Sequence, residues 1–258
     1  MFDFATIKLD IEGPRATLLL NRPEQRNGMT SRMVRETHEA LVEVAKLDDV
    51  RVLLLTGAGS SFCPGADLNQ VGQQSDDPAE SSEQMHFQVP VLLHEMPQLT
   101  VAAVNGACAG AGFGWACGCD IRVAKTSAMF NTAFLNVAVA GDMGLPWSLP
   151  RLVGASKARE LSFFSEKFSA QEAERIGLVA RRYADDTFAE EIETLVEQFL
   201  ERSPTALRMM KSHYLAAEAM PMSSYVALET ERHSRIASGE HAAEAFKAFI
   251  EKRKPEFN

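Results

Sequence analysis

Six of the seven residues from Gly106 to Gly112 are glycine or alanine, and they run directly into Phe113-Gly114-Trp115-Ala116-Cys117-Gly118-Cys119-Asp120. A small-residue stretch that opens a helix lets a second backbone or a ligand come close. Its first N–H groups have no partner inside the helix and carry the positive end of the helix dipole. An anion, or an oxygen that becomes anionic during a reaction, is the guest such a feature suits. The spacing of Gly110, Gly112 and Gly114 is G-x-G-x-G and does not match the dinucleotide-binding fingerprint. Upstream, Ser61-Phe62-Cys63-Pro64-Gly65-Ala66-Asp67-Leu68 follows a leucine and valine run and, taken alone, reads as a turn that exposes backbone N–H groups without bulky side chains. Downstream, Asp142 lies in Ala140-Gly141-Asp142-Met143-Gly144-Leu145. It could move protons, or it could open a helix that contains Pro146, Trp147 and Leu149. Cys63, Cys108, Cys117 and Cys119 have no second pair or histidine cluster near them to complete four metal ligands, so they read as small buried thiols rather than a metal site.

The elements that position these segments alternate strand and helix. Residues 7–10 and 16–20 read as a hairpin turned by Glu12-Gly13-Pro14. Residues 31–47 carry apolar side chains at helical spacing behind a Thr30 or Ser31 cap, and residues 50–56 read as a strand buried on both faces. Residues 99–105 and 121–124 are further strands, with the small-residue helix between them. The polar residues 70–83 are the best candidate for a mobile loop. Helical periodicity returns at 155–165 and 170–176 and dominates over 188–200, 205–219 and 241–253. This divides the chain into a core of residues 1–195 and a C-terminal helical region of residues 196–258, a candidate oligomerisation element.

Composition narrows the function classes. With 258 residues, 46% of them hydrophobic, a sizeable core is available. A formal net charge of −9 argues against a general nucleic-acid binder, which neutralises phosphates with clustered Lys and Arg. The first residues do not read as a secretion signal, and no apolar stretch approaches the roughly 18 residues that span a membrane. Reduced thiols and the absence of both features predict a cytoplasmic protein without membrane partners.

Several segments in order carry a family resemblance: Arg22-Pro23-Glu24, the strand over 50–56, Phe62-Cys63-Pro64-Gly65-Ala66-Asp67-Leu68, residues 103–114 (A-V-N-G-A-C-A-G-A-G-F-G), 119–124 (C-D-I-R-V-A), 149–154 (L-P-R-L-V-G) and 172–179 (E-A-E-R-I-G-L-V). Together they resemble the enoyl-CoA hydratase/isomerase (crotonase) family from about Asn21 to Val179, with compatible helices beyond. The resemblance implies an α/β fold, the crotonase (ClpP-like) spiral of ββα units with a C-terminal helical region, assembled as a homotrimer or a dimer of trimers. It also implies an acyl-CoA thioester substrate, with CoA part of that substrate and no separate cofactor. Carried over residue by residue, the thioester oxygen is polarised by the backbone N–H of Ala66 and of Ala111, beside Gly110. The two glutamates that handle water in hydratases fall on Gly114 and Phe134, and neither can move a proton. In relatives that isomerise dienoyl-CoAs, rearrange ring-epoxide CoA thioesters or dehalogenate aryl-CoAs, an aspartate at the position of Asp142 acts on the substrate. His86 and Trp147 fall where relatives line or close the acyl pocket. CoA is expected to lie along the turn from Arg22 to Asn27, with Arg26, the segment Ala66-Asp67-Leu68 and Lys252 as its contacts. The expected reaction is a double-bond or ring-epoxide-type isomerisation through Asp142, with hydration, or acyl-CoA binding without turnover, as the alternatives.

Overall fold

The computed structural model of the chain describes residues 3–69 and 87–257. The segment 70–83 and His86 lie outside them. Strands β1 (Ile7–Glu12) and β2 (Arg15–Leu20) pair antiparallel about Gly13, whose φ of 53° suits glycine. A short 3₁₀ turn, Pro23–Gln25, leads to α1 (Ser31–Ala45). Thr30 caps this helix, its hydroxyl accepting the Met33 N–H at 3.1 Å, and Met33, Ala40, Leu41 and Val44 form its buried stripe. β3 (Val52–Gly57) then pairs parallel with β2. Leu53 and Leu55 enter the main core, while Val52 and Leu54 pack under the helix over Phe188–Leu200. Alternate residues of a strand point to opposite faces, which is why an unbroken apolar run is needed here.

The chain then repeats one pattern. β3 is followed by the short β4 (Ser61–Cys63) and, further on, by α2 (Val89–Glu95). β5 (Leu99–Val104) is followed by β6 (Ala107–Ala109) and α3 (Gly110–Gly118), and β7 (Ile121–Lys125) by β8 (Met129–Asn131). After them come α4 (Leu145–Val153), α5 (Ala155–Phe164), β9 (Phe168–Ser169), α6 (Ala170–Arg175) and β10 (Arg181–Tyr183). The long strands form one sheet in the order β1-β2-β3-β5-β7-β10, and the short ones a second in the order β4-β6-β8-β9. Each pass therefore gives one strand to each sheet before a helix, which is the ββα spiral. The second sheet corrects the sequence reading: residues 61–63 are strand rather than turn, and 107–109 are strand rather than the start of the helix. Strands of two or three residues are too short to leave an alternating pattern.

The corners between the sheets are packed backbone against backbone. A side chain on Gly57 would overlap the Ser61 carbonyl, and one on Gly106 the Ser60 carbonyl. Two buried amides fix these corners. Asn105 Nδ2 donates to Gly57 O at 2.8 Å and to Gly59 O at 3.0 Å while its Oδ1 accepts Gly57 N–H. Asn27 Nδ2 donates to Ala58 O at 2.9 Å and Ser61 O at 2.7 Å, and its Oδ1 accepts Arg22 N–H.

The C-terminal layer is α7 (Phe188–Leu200), α8 (Pro204–Ala219), α9 (Met222–Ala237) and α10 (Glu240–Glu251). The α7 helix continues unbroken through Leu195 and Val196, and both side chains pack on the first sheet. No residue of α9 is buried in the single chain, and Met222 and Val226 are exposed on it. No described helix is long and apolar enough to cross a membrane. One buried ion pair ties α8 to the core: Lys211, 6% exposed, donates to Asp120 Oδ2 at 2.8 Å, Gln98 O at 2.9 Å and Leu93 O at 3.2 Å. Asp120 also accepts the Thr100 N–H and hydroxyl. Lys211→Met should lower stability by about 3 kcal/mol, the low end for one partner removed from a buried pair, because Asp120 keeps Thr100 and some solvent. Denaturant unfolding checks this; an unchanged midpoint would show that the pair does not hold the helix.

Candidate active site

Gly65 and Gly110 bring the two small-residue segments together. Gly65 has φ 102° and Gly110 φ 50°, and a Cβ added to either would come 3.7 Å from the other's Cα. A side chain on Gly112 would overlap Cys63, which presses α3 onto β4. Ala66 and Ala111, each one residue beyond its touching glycine, are thereby neighbours. The hydrogen bonding around Ala66 decides where its N–H points. Met29 N–H donates to Gly65 O and Asp67 N–H to Met29 O, both at 2.8 Å, in a parallel bridge. The peptide groups facing Met29 belong to the residues on either side, so Ala66 N–H is directed away from that strand. Ala111 lies in the first turn of α3, where the helix supplies no acceptor. Among the described residues neither N–H makes a hydrogen bond. Two unpartnered donors, one at a helix N-terminus, can stabilise an oxygen on which negative charge develops.

Asp142 sits over the same helix turn. Its backbone and that of Met143 lie against Gly114: a Cβ there would come 2.7 Å from Met143 Cβ and O and 3.3 Å from Asp142 O. Gly114 is three residues beyond Ala111 and so on the same helix face. The Asp142 carboxylate is half-buried and accepts Met143 N–H at 2.7 Å. Burial raises its pKa above the usual carboxylate value, and the Met143 N–H opposes this. It is not a helix cap, because α4 begins at Leu145 behind Gly144, with no side-chain cap. Phe134, the other position where a hydratase glutamate falls, is partly buried against the core, and its Cε1 would be 3.8 Å from a Cβ on Gly110.

The remaining candidates divide. Arg26 is exposed, in the left-handed region at φ 54° on the turn after β2, and Lys252 is exposed at the end of α10. Neither makes an ion pair among the described residues. Leu68 is exposed beside Ala66. Asp67 differs from the expectation: its N–H is spent on Met29 O and its carboxylate on Arg22 Nη2 at 3.0 Å and Asn69 N–H, so it braces the loop and offers a ligand little. Trp147 is 45% exposed, edge-on to His94 at 5.2 Å and under the Arg151 guanidinium at 3.8 Å. The four cysteines are buried and unpaired, with burial pushing Cys63, Cys117 and Cys119 up to about 12. Among the described residues no cluster of three His, Cys, Asp or Glu side chains could hold a metal.

Arg22 is the residue that sequence reasoning undervalued. It binds Gly28 O and Asp67 together, joining the turn after β2 to the Ala66 loop. Its place in Arg22-Pro23-Glu24 was visible, but its partner is distant in sequence. The Arg22 hydrogen bond holds Asp67 below the usual carboxylate value of 3.8. A depressed carboxylate adds stability above its unfolded pKa, and that contribution is lost as pH falls through the folded one. Arg22→Met should therefore be less stable than wild type at pH 7, and the gap should narrow below pH 3.8. Denaturant titrations at both pH values check this, and a gap independent of pH would remove the ion pair as its cause.

The enoyl-CoA hydratase/isomerase family profile matches residues 14–258. The chain is 33% identical over 245 residues to the 1,2-epoxyphenylacetyl-CoA isomerase of Escherichia coli, covering 93% of this chain and 94% of that protein. It is 29% identical over 253 residues to the peroxisomal Delta(3,5)-Delta(2,4)-dienoyl-CoA isomerase of Arabidopsis thaliana, covering 93% and 91%. The crystal structure of enoyl-CoA hydratase from Bacillus anthracis superposes with a TM-score of 0.90 at 27% identity, over 98% of this chain and 99% of that one. A spiral of ββα passes, two backbone donors at its corners and a match over nearly the full length agree: the chain belongs to the enoyl-CoA hydratase/isomerase family.

Proposed function

We propose that the chain isomerises an unsaturated acyl-CoA, with Ala66 N–H and Ala111 N–H holding the thioester oxygen and Asp142 moving the proton. The observation that carries this is the distribution of carboxylates around α3. Position 114 has no side chain and its space is taken by Met143, position 134 is phenylalanine, and Asp142 lies over the same turn. Bond migration needs a proton taken from C2 and returned to C4, with the negative charge held on the thioester oxygen in between. One carboxylate performs both steps, and each oxyanion donor lowers the barrier by about 2.7–4 kcal/mol. Likeness to two isomerases supports the reading. Likeness to a hydratase structure keeps a second one, in which the half-buried Asp142 activates water.

Incubation in D₂O with matched 3-enoyl- and 2-enoyl-CoA separates the two. Isomerisation moves the double bond and yields no 3-hydroxyacyl-CoA, the product taking up deuterium to the extent that the proton on Asp142 exchanges with solvent before its return, whereas rapid hydroxyacyl formation from the 2-enoyl substrate would favour hydration. Asp142→Asn should still bind acyl-CoA and lose on the order of 10²–10⁴ in kcat. The base must be ionised at the start, so kcat should rise with pH through a midpoint above 3.8. Unchanged turnover in Asp142→Asn would remove the residue from the mechanism.

The reading asks for no cofactor, since CoA enters and leaves with the acyl group. Arg26 and Lys252, neither in an ion pair among the described residues, are assigned to its phosphates, with Lys252 supplied by a neighbouring subunit. Four unpaired thiols fit a reducing, cytoplasmic compartment. Assembly is supported by apolar side chains left in water: Phe249 is 84% exposed, Ile250 79%, Phe246 67%, and Phe163 and Phe164 72% each. Patches of this kind are covered in assemblies. Light scattering should give three or six times the 28.3 kDa chain mass, and Phe249→Glu should shift it downward. A stable wild-type monomer would remove both the trimer and the neighbour's Lys252.

A further inference from the structure

The turn that carries Asp142 is held in an unusual backbone conformation. Gly141 has φ 135°, Met143 φ 48° and Gly144 φ 69°. Positive φ suits the glycines, but at Met143 it is strained and persists only where surrounding packing fixes it. That packing is visible. The Met143 side chain is 5% exposed in the main core, Leu145 N–H closes the turn onto Asp142 O at 3.1 Å, and the Met143 backbone rests on α3 at Gly114. The same Met143 donates its N–H to Asp142 Oδ1 at 2.7 Å, and the peptide that carries this N–H meets Gly114 through Asp142 O, 3.3 Å from a Cβ there, so the residue seated on the helix is the one that orients the carboxylate. Among the described residues no ion pair reaches Asp142, which leaves this N–H as its fixed partner.

We propose that Gly114 is a positioning residue for Asp142: its missing side chain is the seat on which the Met143 peptide rests, and that peptide aims the Asp142 carboxylate at the first turn of α3. This rests on the reading that Asp142 moves the proton. It gives the glycine at position 114 a role of its own. A glutamate there would not simply add a second acid/base group, because its Cβ would come 2.7 Å from Met143 Cβ and O and drive the turn, with Asp142, off the helix.

The test is Gly114→Ala, with kcat and KM measured on the isomerised substrate beside Asp142→Asn and the double variant. A displaced general base costs turnover more than binding, since a misplacement of about 1 Å lowers rates by up to roughly 10²-fold. Gly114→Ala should therefore lose tenfold or more in kcat, with KM within about twofold, and should add no further loss in the Asp142→Asn background. Wild-type kcat in Gly114→Ala, a KM that rises in parallel with the lost kcat, or an undiminished further loss in the Asp142→Asn background would each overturn the proposal. Full turnover in Asp142→Asn would instead overturn the reading on which it rests. If Gly114→Ala does not fold, Met143→Gly carries the test: it adds no atom at the seat, but it removes the buried side chain that fixes the turn and widens the backbone freedom there, so the peptide is no longer held on Gly114. It should show the same loss of kcat at unchanged KM, and wild-type kcat there would overturn the proposal.

Discussion

Backbone packed directly on backbone is the constraint from which the rest follows. At Gly57 and Gly106 the chain leaves the large sheet for the small one, and carbonyls of Ser60 and Ser61 occupy the places where side chains would stand. At Gly112 the same closeness presses α3 onto Cys63, and at Gly65 and Gly110 it brings two loops to touching distance. Any Cβ at these corners would separate the sheets, and with them Ala66 and Ala111, whose N–H groups have no partner among the described residues. The glycines that close the fold at Gly65, Gly110 and Gly112 are thus the immediate neighbours of Ala66 and Ala111.

Such tight corners leave peptide groups away from water, and each must find a partner, because an unsatisfied buried group costs about 1–3 kcal/mol. Asn27 and Asn105 meet this need with both ends of their amides. Arg22 and Asp67 extend the same bracing to the loop that presents Ala66. Because Asp67 is spent on this bracing, the carboxylate left over α3 is Asp142. Its half-burial and, among the described residues, its single N–H partner set it apart from the paired carboxylates of the surface.

Much was legible in the sequence. The unbroken apolar run of β3 is dictated by burial on both faces, the Thr30 cap and apolar stripe announce α1, and the density of glycine and alanine over 106–112 states that something must come close there. Ordered motifs carried the family, and the side chains at 114, 134 and 142 can be read without coordinates.

What the tertiary structure decided are relations between distant residues. Strands of two or three residues have no period, so the second sheet exists only through its pairing. Nothing local tells Arg22 that its partner is Asp67, or Lys211 that Asp120 lies beneath it, since an ion pair is defined by where the chain returns. Whether Asp142 caps a helix or faces a reacting group was likewise open from its neighbours alone. That it caps no helix follows from the start of α4 at Leu145 behind Gly144, and its turn is placed by the packing of Met143 on Gly114, because a turn with positive φ at a non-glycine residue is held by its surroundings and not by its own sequence.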